Sequence, residues 1–243
     1  MVVSRARAAF QKSTLEIAPQ VYQLYIRATS TILIAGEELT IIDTGLPGSS
    51  TRIARFIHSL GRSIEEVSLI IITHNHIDHA GGLAELRKLT RAKVAAHKAD
   101  LDDPASQMPY PKLIKRLLRI PSLSNFHSGF LLKPEEVDIH LEGGETLEPL
   151  GGLEVVHTPG HTPGSISLFS PKHKLLVAAD ALTRQGKNPW LPHKSVSSDF
   201  PQAIESIKRM TDLDINIVCF GHNRPLTGDV TNKLRELIKK IEV

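Results

Sequence analysis

The apolar run SLIIIT (68–73) passes without a break into HNHIDHAGG (74–82). A short continuous apolar run reads as a strand buried on both faces, and His74, His76, Asp78 and His79 follow it within six residues. Imidazole nitrogen and carboxylate oxygen are the donors that suit zinc and its first-row neighbours. Alternate residues of a strand share a face, so His74 and His76 can point the same way. A turn directly after them can aim Asp78 and His79 at a second point nearby. One tetrahedral ion could not easily use all four from so tight a loop; two ions could. Histidines that merely cap the next helix, or lie exposed, account poorly for this density.

The rest of the chain surrounds that segment with alternating strand and helix signals. QVYQLYIR, STILIAG and ELTIIDTG read as antiparallel strands, with GEE marking a hairpin. TRIARFIHSLG places Ile53, Phe56, Ile57 and Leu60 on one helical face closed by Gly61. A helix is expected near LAELRKLT and a strand at KVAAH. Between about residues 98 and 138 the pattern loosens around Pro104, Pro109, Pro111, Pro121 and Pro134. A compact domain seldom carries so long an irregular stretch, so it reads as an insertion or lid. Its one basic amphipathic helix, PKLIKRLLRI, carries Lys112, Lys115, Arg116 and Arg119, a solvated face in the simplest reading. GLEVVHT, SISLFS, KLLVAAD and INIVCF read as further strands. Helices follow at PQAIESIKRM and at TNKLRELIKKIEV, where Leu234, Leu237, Ile238 and Ile241 share a face. Helices covering layered sheet fit this order better than an all-β barrel.

Composition narrows the setting. Of 243 residues, 29 are basic and 26 acidic, and aromatic residues make up 5%. That offers neither the charge density nor the stacking platforms of a nucleic-acid-binding surface. The one cysteine, Cys219, excludes an internal disulfide and favours a cytoplasmic protein. MVVSRARAAFQKS lacks the apolar core of a signal peptide, and no segment approaches a membrane-spanning length. The expected partner is a small-molecule substrate, without nucleic acid or membrane; oligomeric state leaves no trace in the sequence.

HTPGHTPGS (157–165) holds the same four residues twice. His157 ends an apparent strand, where packing or a hydrogen bond explains a side chain. His161 follows Pro159-Gly160, a turn signal that lifts the chain out of the sheet.

These motifs together resemble the metallo-β-lactamase superfamily. His74, His76, Asp78 and His79 match its H-x-H-x-D-H motif, and Asp43 in IIDTG matches its early aspartate. His161 in PGHTPGS, Asp180 in LLVAAD and His222 in CFGHN match its later positions, in order along nearly the whole chain. The resemblance implies an α/β fold, a four-layer αββα sandwich, as one domain over 1–243 with the variable insertion at about 98–138. It implies one metal on His74, His76 and His161, and a second on Asp78, His79 and His222. Asp180 would bridge them, with Asp43 close by and His157 an orienting or structural neighbour. Two divalent ions are implied, zinc first, with iron or manganese as alternatives. A metal-bound hydroxide would then attack an ester, thioester, lactone or amide, with Asp78 and Asp180 as the catalytic side chains.

The chain departs from relatives in places. Ala179 stands where many carry glycine, and Ala181-Leu182-Thr183 lacks the tyrosine of acyl-homoserine-lactone lactonases. About twenty residues follow His222, too few for the C-terminal helical domain of glyoxalase II. Neither a β-CASP insertion nor a flavodoxin-like extension is expected. A mononuclear iron persulfide dioxygenase is the alternative function, and a phosphodiesterase or ribonuclease is further off. Cys219 reads as a small buried hydrophobe and Arg224 as rim charge. His58, His97, His127, His140, His173 and His193 lack clustered partners and read as structural or surface groups.

Overall fold

The architecture, a computed structural model describing residues 14–101 and 131–242, follows from the period-two alternation of its strands. Strands β1 (Thr14–Ala18), β2 (Val21–Ile26), β3 (Thr29–Ala35), β4 (Leu39–Ile42), β5 (Val67–Ile72), β6 (Lys93–His97) and β7 (Ile139–Leu141) form one sheet in that order. Pairing is antiparallel from β1 to β4 and parallel from β4 to β7. The later strands are β8 (Thr146–Leu147), β9 (Leu153–His157), β10 (Ile166–Ser170), β11 (Leu175–Ala179), β12 (Thr183–Gln185), β13 (Asn188–Trp190), β14 (Ile217–Phe220) and β15 (Leu226–Thr227). All but the β12–β13 hairpin join a second sheet in the order β15-β14-β11-β10-β9-β8. Its one parallel pair is β11 with β14.

Neighbouring residues on each strand serve different cores, because successive side chains point to opposite faces. Ile42, Ile71 and Ala95 meet Leu168, Val177 and Cys219 between the two sheets. Their neighbours Ile41, Ile70, Ile72 and Val94 pack outward beneath helices α1 (Ser50–Ser59) and α3 (Leu83–Leu89), through Ile53, Phe56, Ile57, Leu83 and Leu86. Between the two helices lies the four-residue α2 (Ile77–Ala80). On the second sheet Leu176, Ala178 and Val218 pack outward beneath α4 (Phe200–Met210) and α5 (Val230–Ile241), through Ile207, Met210 and Leu234. Three apolar layers between four structural layers make an αββα sandwich, the α/β architecture that the resemblance implied. Cys219 is fully buried in the middle layer, and burial pushes its thiol pKa up.

Two local readings of the sequence change. β5 ends at Ile72, so His74 and His76 lie in the loop beyond it rather than on the strand, and Asp78 and His79 occupy the single turn of α2. The strands β1, β7, β8, β12, β13 and β15 are short or lie at sheet margins, where two to five residues carry too little alternation to read. Residues 98–100 and 134–136 form 3-10 turns at the two ends of the irregular stretch. PKLIKRLLRI, His127 and the first thirteen residues lie outside the described residues. Among the described residues, no helix is long and apolar enough to cross a membrane.

The carboxyl ends of β4, β5, β9, β11 and β14 lead into the segments carrying Asp43, His74–His79, His161, Asp180 and His222. Open α/β sheets gather ligands at such strand ends. At the end of β11, Ala179 adopts a left-handed φ of 46°, a conformation that suits the glycine expected here from the resemblance. The left-handed conformation costs a side-chain-bearing residue about 1–2 kcal/mol, and glycine's greater chain entropy gives back about 0.5–1 kcal/mol of that. Ala179→Gly should therefore stabilise the fold by up to about 1 kcal/mol, raising the thermal midpoint by about 2–4 °C. A lowered midpoint in a thermal scan would show that Ala179 is not strained.

Candidate metal centre

Asp43 organises the first loop from below. It is buried, with a left-handed φ of 59°, a conformation that aspartate tolerates better than most residues. Its Oδ1 accepts from the Thr73 backbone N–H at 2.8 Å, and its Oδ2 from the Thr73 hydroxyl at 2.8 Å and from His79 Nδ1 at 2.7 Å. The single Thr73 hydroxyl proton goes to Asp43, so Thr73 Oγ1 accepts from His74 Nδ1 at 3.1 Å. Both histidines are thus protonated on Nδ1 and turn Nε2 toward the cluster. Those two Nε2 atoms are buried and have no hydrogen-bond partner.

The other loops bring the remaining donors to the same place. His161 Nε2 lies 3.0 Å from His76 Nδ1 and 3.5 Å from Asp180 Oδ2. His222 donates through Nδ1 to the Ala28 carbonyl at 2.9 Å, which leaves Nε2 3.1 Å from Asp180 Oδ2 and 3.3 Å from Asp78 Oδ2. His79 Nε2 is 3.5 Å from Asp180 Oδ1. Donor atoms within 4.8 Å of one another define three overlapping groups: His74, His76 and His161; His74, His79 and Asp180; Asp78, His79 and His222. All seven residues singled out in the sequence therefore meet. Gly221 makes room for this, since a Cβ there would stand 1.9 Å from Asp180 Oδ1.

The electrostatics suit a cation. Burial, together with the neighbouring histidines, holds the His74 pKa well below its ordinary value, and burial likewise lowers that of His161. At His79 burial opposes protonation, but Asp43, Asp180 and Asp78 win and raise the pKa to about 10. The hydrogen bond to Asp180 raises His222 to about 9. Asp180 is held below the carboxylate range by His79, His222 and His161 despite its burial. Buried ring nitrogens without hydrogen-bond partners, beside ionised carboxylates, are the donor set of a metal site. The cluster opens on the side of His222 and Asp78, whose side chains are 40% and 28% exposed, against 0% for His79.

The doublet resolves on geometry. His157 ends β9, donates through Nε2 to the Pro163 carbonyl at 2.8 Å, and stacks on His97 with ring centroids 4.0 Å apart. The first histidine thus braces the second repeat, and only His161 joins the cluster. His97, expected to lack partners, is half of this stack. Asn75, Thr73, Asp100 and Thr162 escaped sequence reasoning: each is a common polar residue with no spacing signature.

The profile of the metallo-beta-lactamase superfamily matches residues 24–222. The chain belongs to this superfamily. It is an enzyme of the metallo-hydrolase kind. It is 26% identical over 224 residues to the probable metallo-hydrolase YflN of Bacillus subtilis, covering 83% of this chain and 81% of that protein. It is 27% identical over 211 residues to the human acyl-coenzyme A thioesterase MBLAC2, covering 81% of this chain and 72% of the relative. The crystal structure of the metallo-beta-lactamase family protein TTHA1429 from Thermus thermophilus superposes with a TM-score of 0.70 at 22% identity, over 93% of this chain and 81% of that one. That likeness establishes the fold.

Replacing His161 with glutamine should strip metal from the purified protein, whereas His157→Gln keeps a donor for Pro163 and should retain it. Equal losses in elemental analysis would assign both repeats the same role.

Proposed function

We propose that this chain is a hydrolase that holds two divalent cations on these seven residues and cleaves an ester, thioester, lactone or amide bond of a small molecule. The position of Asp180 carries the reading. Its carboxylate lies within 3.5 Å of both His161 and His79 and 3.1 Å from His222, so it reaches members of both histidine groups at once. Nitrogen-rich donors with two carboxylates suit zinc, with iron or manganese as alternatives. His74, His76 and His161 would hold one cation and Asp78, His79 and His222 the other, with Asp180 shared. Once bound, the cations supply Lewis acidity toward a carbonyl oxygen and a water whose pKa falls to roughly 7.

The chain's own part is orientation and proton handling. Asp43 fixes His79 directly and His74 through Thr73, while the Ala28 carbonyl fixes His222. Such partners keep ligand rings in one tautomer and one orientation. Asp78, at the open side and 3.3 Å from His222, is placed to accept or relay a proton. Among the four bond types, the thioester is the first to assay, because one relative is named an acyl-coenzyme A thioesterase. The buried lone Cys219 agrees with a cytoplasmic setting.

Elemental analysis of protein purified without added metal or chelator should find about two zinc or manganese ions per chain. Asp180→Ala should lower metal content and abolish turnover of a thioester or ester together. Full activity in that variant refutes the two-cation reading. About one iron per chain with oxygen uptake on persulfides would replace it with a dioxygenase.

Metal binding should also release protons. With pKa values near 10 and 9, His79 and His222 are both protonated in the metal-free protein at pH 7.5. Loading should displace about two protons from these rings and up to about one more from a bound water whose pKa falls to roughly 7, and affinity should rise with pH until those groups are neutral. Calorimetry in buffers of different ionisation enthalpy reads this number directly; no release would exclude the two nitrogens as donors.

A further inference from the structure

Beneath His74, His76 and His161 lies a carboxylate that no part of the proposed chemistry uses. Asp100 ends the 3-10 turn after β6 and is 3% exposed. Its Oδ2 accepts from the Asn75 backbone N–H at 2.9 Å and from the Thr162 hydroxyl at 2.8 Å, and its Oδ1 accepts from the Gly164 N–H at 2.5 Å. Asn75 stands between His74 and His76, and Thr162 directly follows His161. One side chain therefore ties together the two loops from which the first group of donors comes.

The approach is close enough to constrain the sequence. A Cβ on residue 164 would lie 2.6 Å from Asp100 Oδ1 and 2.6 Å from its backbone nitrogen, so only glycine fits. Asn75 extends the tie: its Nδ2 donates to the carbonyls of Asp100 and Leu132 at 3.1 and 2.8 Å, and its Oδ1 accepts from Leu132 N–H at 2.7 Å. Burial pushes the Asp100 carboxyl pKa up, while its three donors oppose that shift.

The second group takes its bearings elsewhere. His79 is held by Asp43 and His222 by the Ala28 carbonyl. We infer that Asp100 is a positioning residue that sets the spacing of His74 and His76 against His161, and so tunes the affinity of one cation independently of the other. The inference rests on the two-cation reading above for its assignment of donors.

Asp100→Asn keeps the shape but faces one of three donors with an amide NH2. Partners behind metal ligands are typically worth about 10–100-fold in affinity. Stepwise zinc titration of metal-free protein against a chromophoric chelator should show one of the two ions weakened by about 10–100-fold in this variant and the other unchanged. The metal-free variant should melt somewhat below wild type, since one buried donor loses its acceptor, but that loss alone predicts no difference between the two ions. Both ions weakened alike, or neither, overturns the inference. Should Asp100→Asn fail to fold, Thr162 decides: Thr162→Val should weaken the same ion and Thr162→Ser, which retains the hydroxyl, should not. Identical titrations for the two overturn it. A wild-type chain that binds two ions yet cleaves no ester, thioester, lactone or amide refutes the proposed function and leaves this comparison standing. One that binds no ion refutes both.

Discussion

Five imidazoles and two carboxylates share one largely buried pocket, and everything around them compensates for that crowding. Burying charge without a partner is expensive, and imidazoles packed against one another resist protonation. Here the opposing pushes are resolved by position. His74, deep and surrounded by other histidines, is held neutral, while His79 and His222, each beside carboxylates, hold protons in the absence of a cation. The Nε2 atoms of His74 and His79 are buried with no hydrogen-bond partner in the protein. A protein interior rarely leaves such groups unsatisfied without a functional reason.

The sandwich makes this arrangement rigid. Each loop of the site leaves a strand whose two faces are both packed, so loop origins are fixed by the close packing of three apolar layers. Single side chains then join neighbouring loops. Asp43 connects the end of β4 to His79 and to the residue before His74, and Asp100 connects the His74–His76 loop to the His161 loop. His157 braces the His161 loop from a further side by bonding the Pro163 carbonyl. Backbone close approach serves the same end at Gly221 and Gly164, where any Cβ would strike a carboxylate.

Much of the site was legible because its donors sit in short runs of rare residues. H-x-H-x-D-H needs no tertiary information to be noticed, whereas Asp180 and His222 stood out only through the resemblance to the superfamily. The long strands and helices were legible from their apolar pattern: Ile70, Ile71 and Ile72 are apolar on successive positions because Ile70 and Ile72 face one core and Ile71 the other. Asp100 and Asn75 left no such trace. A single aspartate at the end of a strand is indistinguishable in sequence from a helix cap or a surface charge. Its role arises only when Thr162 and Gly164, more than sixty positions on, fold against it.

The sequence by itself determined which atoms are available: the donor types, their grouping along the chain, and an alternation of strands and helices that admits layered sheet. It also separated the two halves of the HTPG doublet, since only one follows a turn. Tertiary structure decided the rest. His74 and His76 converge from a loop rather than a strand face, Asp180 reaches both histidine groups, and the partners of each ring set which nitrogen faces the cluster. These are settled by contacts between atoms far apart in the chain. Local propensity carries no information about such contacts, whereas packing two sheets face to face fixes them.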